Sequence, residues 1–227
     1  MFIQLFFLNV ITTSYIEFVY DYFYPYTYFV QDYCNAFVIT VKKDNLVYSI
    51  YYNGRFITSC DDNSIIVIIE DIFLKIHRCV DNYCMLHGCA ISYNNKAICF
   101  IGKTMSGKST LVTYLLSKGF NYITDDRILL NIHTKNVYPY YRPIMLRESS
   151  IQLLKNKYDY NLYKSCKYFP LRRRYKYVAN NIEKEMCMCK KIFYLDRQEE
   201  GNDIVSQTLT PNEKLLVIAK NLSYVSG

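Results

Sequence analysis

The chain has 227 residues, 51% hydrophobic and 21% charged. That is the length of one large domain, or of a core with a small appendage, and the composition excludes wholesale disorder. Its formal charge of +7 is too diffuse to point to nucleic acid, and no run approaches the roughly 18 apolar residues of a membrane span.

The opening Met1-Phe2-Ile3-Gln4-Leu5-Phe6-Phe7-Leu8 is apolar but lacks a basic region and a small-residue cleavage site, so no signal peptide is expected. Residues 1 to about 60 read as strands. Ala36–Val41 and Leu46–Tyr51 are β-branched and aromatic, Lys43-Asp44-Asn45 is a turn between them, and Asn53-Gly54 is a second hairpin signal. A helix is expected after Asn63 or Ser64, because Ile65, Ile68, Ile69, Ile72, Ile76 and Cys79 keep helical spacing.

Further on, Cys84–Ile91 reads as one strand, Asn94-Asn95 as a turn and Lys96–Ile101 as an apolar strand. A glycine loop and a helix follow, with Leu111, Tyr114 and Leu115 on its apolar face and Gly119 past its end. Short strands are expected near 121–123, 127–132 and 136–138, while 148–190 is polar and carries no clear period. Ile192–Leu195 reads as a buried strand and Val205–Leu209 as another. Thr210-Pro211-Asn212-Glu213 is a capping box opening a helix to about Leu222.

Nine cysteines, an odd number without a C-x-x-C pair, argue against a zinc site, and Cys187-Met188-Cys189 is too tightly spaced for one. Several lie in apolar runs and read as small buried hydrophobes, which fits a reducing, cytoplasmic location. The dense basic cluster Arg172, Arg173, Arg174 and Lys176 reads either as a solvated loop or as a contact for an anion.

The strongest chemical signal is Gly102-Lys103-Thr104-Met105-Ser106-Gly107-Lys108-Ser109, a complete G-x-x-x-x-G-K-[ST] between an apolar strand and an amphipathic helix. Glycines let the backbone wrap a polyphosphate, whose charge meets N–H groups and the positive end of the helix. Lys108 would neutralise the β- and γ-phosphates, the Ser109 hydroxyl would ligate Mg²⁺, and Thr110 would extend the nucleotide site.

Asp125-Asp126 follows the loop helix after only a short segment. If that segment runs back beside the loop strand, it delivers two carboxylates to the phosphates, one for a metal and one to take a proton from an attacking hydroxyl. A turn that merely caps local backbone is the plainer alternative. His87-Gly88 lies on the strand before the loop strand. It is either a core histidine or, in a hairpin with that strand, a neighbour of the γ-phosphate; His77 and His133 read as structural or surface residues.

Leu86-His87-Gly88, then Gly102 to Ser109, then Thr124-Asp125-Asp126 together resemble the catalytic core of HPr kinase/phosphorylase and its shorter relatives associated with modified-peptide biosynthesis. Tyr138–Arg147, with Arg142-Pro143, is similar to the Pro-Arg-Pro segment of that shorter branch. The resemblance covers roughly residues 80 to 222, and it is firmest over 86 to 147. The glycine-rich Glu-x-Arg-Gly signature of true HPr kinases is absent, which argues against HPr itself as acceptor.

The resemblance implies an α/β fold: a P-loop kinase core of HPr-kinase/phosphoenolpyruvate-carboxykinase-like type over residues 81–227. A small β-rich N-terminal part over 1–80 would serve acceptor recognition. It implies Asp125 as general base and Asp126 with Ser109 towards Mg²⁺ (the two aspartates being exchangeable), and His87 on the acceptor side. Arg142 or Arg147 would offset charge on the transferring group. The expected activity is ATP- and Mg²⁺-dependent phosphorylation of a Ser or Thr hydroxyl on a small protein or peptide, such as a modified-peptide precursor, with no nucleic acid or membrane partner. Homo-oligomeric assembly is implied by the family alone. Two other readings stay open: a nucleotide-dependent ATPase switch, for which Ile192–Asp196 would be a Walker-B strand, and a small-molecule kinase.

Overall fold

The computed structural model describes residues 2–5, 8–12, 17–23, 27–28, 37–77, 82–140, 142–162, 165–197 and 206–225. Met1, Phe6, Phe7, Cys34, Ala36, Cys79, Tyr141 and Val205 lie outside them, as do the side chains of Ile76 and His77. The fold is mixed α/β. No helix among the described residues is long and apolar enough to cross a membrane.

The N-terminal part is a six-stranded sheet. Its strands are β1 (Phe2–Leu5), β2 (Leu8–Thr12), β3 (Thr27–Tyr28), β4 (Phe37–Asp44), β5 (Val47–Tyr52) and β6 (Arg55–Cys60), in the order β3-β1-β2-β4-β5-β6. Helix α1 (Glu17–Phe23) lies between β2 and β3 in the chain. β4, β5 and β6 form an antiparallel meander. Its second turn is Asn53-Gly54, whose φ values of 46° and 78° are the left-handed pair that a tight hairpin needs.

Helix α2 (Ile65–His77) starts after Asp61, whose carboxylate accepts from the Ser64 N–H at 3.0 Å. Its expected stripe is buried at Ile65, Ile69 and Ile72. These pack with Val19, Tyr22, Ile39 and Ile50 against Met85, Leu129, Tyr138, Tyr140 and Phe169 in one continuous cluster. The N-terminal sheet is therefore fused to the rest through apolar contact rather than tethered to it.

The central elements are β7 (Tyr83–Leu86), β8 (Gly88–Tyr93), β9 (Lys96–Ile101), α3 (Lys108–Leu116), β10 (Asn121–Thr124), β11 (Ile128–Asn131) and β12 (Asn136–Tyr138). After them come β13 (Ile144–Leu146), α4 (Glu148–Tyr158), β14 (Cys166–Phe169), a 3₁₀ turn at Pro170–Arg172, β15 (Arg174–Tyr177), β16 (Cys187–Tyr194), α5 (Pro211–Asn221) and β17 (Leu222–Val225). Eight of the strands form a mixed sheet, β10-β8-β9-β16-β12-β11-β7-β17, in which only β9 and β16 run parallel; β13, β15 and β14 form a small antiparallel sheet.

Five sequence expectations need correction. Glu17–Phe23, in a stretch read as strands throughout, is helix α1. The single strand over Cys84–Ile91 is broken at His87, because β7 pairs with β11 and β17 whereas β8 pairs with β9 and β10. One residue therefore joins strands from distant places in the sheet, and the sheet must curl to allow it. The strand at Ile192–Leu195 is the end of the longer β16, and Ile192 and Phe193 are exposed rather than buried. Residues 206–209 form no strand. The unreadable stretch 148–190 holds α4, whose buried residues are only Ile151 and Leu154, too few to print a helical period.

Gly88 makes the break at His87 possible. A Cβ there would sit 2.4 Å from the Phe100 carbonyl oxygen and 2.8 Å from Ile128 Cδ1. The Ile128 methyl is a side-chain tip that can rotate away, but the Phe100 carbonyl is backbone held in the β8–β9 ladder, so Gly88→Ala is expected to cost about 3 kcal/mol. That corresponds to a fall of roughly 10 °C in melting temperature, measurable by thermal unfolding followed by circular dichroism.

Candidate phosphate-loop site

Strand β9 ends at Ile101 and the chain turns at once into the loop. Gly102 has φ 151°, and a Cβ on it would lie 2.4 Å from the Leu195 carbonyl oxygen, so the β9–β16 contact demands glycine here. Met105 (φ 72°) and Gly107 (φ 92°) also take left-handed backbone, which wraps residues 102–107 into a cradle ahead of α3. Lys108 is buried and donates to the Gly102 and Lys103 carbonyls at 2.8 and 2.7 Å. Within the cradle the Ser106 Oγ is buried and, among the described residues, has no hydrogen-bond partner.

Strand β10 runs back towards the site, but it pairs antiparallel with β8 and so lies one strand beyond the loop strand β9 rather than directly beside it as expected. It ends at Thr124, and Asp126 (φ 69°) turns the chain so that the two carboxylates diverge. Asp125, 6% exposed, accepts from the Ser109 hydroxyl at 2.9 Å through one oxygen and at 3.1 Å through the other. Asp126 meets His87 Nδ1 at 3.1 Å and Arg142 at 2.8 Å. The residue that Ser109 reaches is thus Asp125, the aspartate expected to be the base, whereas Asp126, expected at the metal, holds His87 and Arg142. Their exchangeability was an open alternative, and this contact favours the exchange at the Ser109 oxygen.

The two carboxyls differ in charge state. Burial, reinforced by the neighbouring Asp126, pushes Asp125 up to about 6; Arg142 and Ser109 pull only partly against this. Burial also acts upward on Asp126, but the hydrogen bond from His87 and the charge of Arg142 outweigh it and hold the carboxyl well below the usual range. Burial lowers Lys108, and Asp125 and Asp126 oppose that shift.

A chain of ion pairs leaves the site towards the N-terminal part. Arg142 bonds Glu70 on α2 at 2.8 Å; Glu70 also accepts from the Tyr22 hydroxyl at 2.7 Å and faces Arg172 at 3.2 Å. Arg142 and Glu70 side chains are 13% and 17% exposed. Asn221, at the end of α5, fastens the other side: its Oδ1 accepts from the Gly102 N–H at 3.1 Å and its carbonyl from the His87 N–H at 2.7 Å.

These residues open on a cavity of about 860 Å³, lined by His87, the segment Thr104–Leu111, Asp125, Asp126, Arg142 and Arg147 among others. Every residue nominated for the kinase reading is therefore at the site or in its loop, Gly102 and Lys103 contributing carbonyls that hold Lys108, whereas Asp196, nominated for the switch reading, is exposed and outside the cavity lining. His133 is elsewhere, its ring 3.0 Å from Asn82. The described cysteines are free, with Cys99 and Cys189 3.9 Å apart.

Of the basic cluster, Arg172 binds Glu70, Lys176 is buried and donates to the Asp21 carbonyl, and Arg174 lines the cavity. The solvated-loop reading fails for these three. Sequence reasoning missed Glu70, Tyr22 and Asn221. A glutamate next to the apolar stripe of α2 was the available signal for Glu70; nothing local marked the other two.

Set against protein-family models, curated proteins and solved structures, the chain matches none.

Proposed function

We propose that the protein is an HPr-kinase-like phosphotransferase that uses ATP and Mg²⁺ to phosphorylate a hydroxyl, on Ser or Thr of a small protein or peptide. The observation that carries this reading is Asp125. It is a buried carboxyl, raised to about 6, held 2.9 Å from the phosphate-loop Ser109 and followed at once by a second carboxylate bound to His87 and Arg142. A conventional nucleotide switch needs one carboxylate at the metal; a kinase also needs a group that takes the proton of the acceptor.

The loop suits a polyphosphate. Its backbone is already curled, its lysine is held among its own carbonyls, and its orphaned Ser106 hydroxyl faces no competing protein group. Ser109 and Asp125 offer two oxygens to Mg²⁺, which binds through few protein ligands and completes its shell with phosphate and water. Bound there, the cation would neutralise charge between the β- and γ-phosphates. Lys108 would swing from the loop carbonyls to the phosphates. The ionised Asp126 holds His87 and Arg142 beside Asp125, leaving either Asp125 or the Asp126–His87 pair to take the acceptor proton.

One observation favours the switch reading. β16 runs parallel to β9 and ends beside the loop, followed by Asp196, in the order of a Walker-B strand. Asp196 is exposed, however, and the cavity is lined by Asp125 and Asp126 instead.

The test incubates γ-labelled ATP and Mg²⁺ with a small-protein and peptide extract of the source organism, comparing wild type, Asp125→Asn and Asp196→Asn. Label on a peptide or small protein, retained in Asp196→Asn and lost in Asp125→Asn, is the expected result. Phosphate release without transfer, lost in Asp196→Asn, would establish the switch instead.

A further inference from the structure

Strand β13 runs antiparallel to β15 with Leu146 opposite Tyr175. The next rung therefore sets Arg147, still extended at φ −80° and ψ 156°, against Arg174. Like charges directly opposite on a ladder are unfavourable, and both residues are only partly exposed. Burial, and then the facing Arg147, pull Arg174 below its ordinary range.

Among the described residues neither arginine has a carboxylate in salt-bridge range, whereas Arg142 in the same cavity has Asp126 and Glu70. Arg147 and Arg174 both line the cavity, with Ser149 and Ser150 from the first turn of α4. Ser150 accepts from Thr110 at 2.9 Å, so the first turn of α4, which follows Arg147, is tied to the start of the loop helix one residue beyond Ser109. Two like-charged guanidinium groups on opposed positions, partly desolvated and lining the same open volume, are matched by an oxyanion, which each can bind through a planar fork.

We propose that Arg147 and Arg174 form a second oxyanion subsite of this cavity, beyond the phosphate loop, that takes one phosphate or carboxylate group between them. The proposal rests on the kinase reading for the identity of that group. It is either the α-phosphate of the nucleotide or an acidic group on the acceptor, because both enter the same cavity.

The experiment is calorimetric titration of wild type, Arg147→Gln and Arg174→Gln with a non-hydrolysable ATP analogue and Mg²⁺, then of the loaded proteins with inorganic phosphate. Tenfold or greater loss of analogue affinity in both variants supports the subsite and assigns it to the nucleotide. Analogue affinity within twofold, with phosphate bound by the loaded wild type and not by the loaded variants, supports it and assigns it to the acceptor. No change in either titration overturns it.

If wild type fails to bind the analogue, the kinase reading fails separately. The subsite is then judged on inorganic phosphate titrated into the free proteins, where tenfold weakening supports it and equal affinity overturns it. Removal of the opposed charge should also leave both variants melting at or above the wild-type temperature in anion-free buffer; lower melting counts against the opposition. Arg174→Lys keeps charge and stem but loses the fork, and is expected to fall between wild type and Arg174→Gln in affinity.

Discussion

Asp125→Asn is expected to reduce phosphoryl transfer by about a thousandfold, in the middle of the range for loss of a positioned acid–base group, while making the protein more stable. The amide still accepts a hydrogen bond from Ser109, so the loop helix keeps its anchor. What disappears is a buried charge beside Asp126. With its carboxyl raised to about 6 from the ordinary 3.8, ionised Asp125 weakens the native state at pH 7 by on the order of 3 kcal/mol. A gain in melting temperature with loss of activity is the signature of a site strained for function, and misfolding would give the opposite sign.

The same carboxyl fixes a pH dependence in the metal-free protein. Between about pH 4 and 6 the native state holds a proton that the unfolded chain has released, so this contribution to stability falls as pH rises through that window and is gone above it. Asp126, held low, works the other way: its contribution is present above about pH 4 and is lost as pH falls. Mg²⁺ competes with the Asp125 proton, so cation affinity should climb nearly tenfold per pH unit below about 6 and level off above it. Asp125→Asn should abolish that slope. Titrations with Mg²⁺ from pH 5 to 8 read both, and a flat wild-type profile would remove Asp125 from the cation's shell.

The parts of this site that could be read from the sequence are those whose chemistry is local. The phosphate loop is contiguous, and its glycines, lysine and serine each answer a requirement set by the neighbouring residue. Asp125-Asp126 was placed on the expectation that the short segment before it runs back towards the loop, with a local turn as the alternative; β10 does return, but against β8 rather than against the loop strand β9. The break at His87 was hidden because Cys84–Ile91 is apolar throughout and nothing in its period tells two strands from one. The information lies in the different pairing partners of β7 and β8, over 40 residues apart in the case of Leu86 and Ile128. Helix α4 was hidden by polarity, and the Arg147–Arg174 pair by register, which is known only once β13 and β15 are paired.

Glu70→Gln should be the most informative change outside the cavity. Glu70 lies 72 residues from Arg142 in the chain and compensates both Arg142 and Arg172. Removing one partner of a poorly exposed pair leaves cations behind, and about 3 kcal/mol of stability should go with it, the lower end for such pairs. The direction of the effect on the site can be worked out. With Glu70 neutral, Arg142 and Arg172 project more positive potential towards the Asp pair; that favours the Asp125 carboxylate, and its titration should move below about 6. Arg142→Gln should do the reverse, because the repulsion from Asp126 then acts without the opposing charge, and Asp125 should titrate above about 6. Carbon-detected NMR titration of the aspartate carboxyls in metal-free protein reads both shifts. Glu213→Gln, in the capping box of α5, gives the control that alters a helix without moving Asp125. Opposite displacements in Glu70→Gln and Arg142→Gln would establish that the N-terminal part sets the charge balance of the site through Arg142. Displacements of the same sign would leave Glu70 as a structural tie between the two sheets and nothing more.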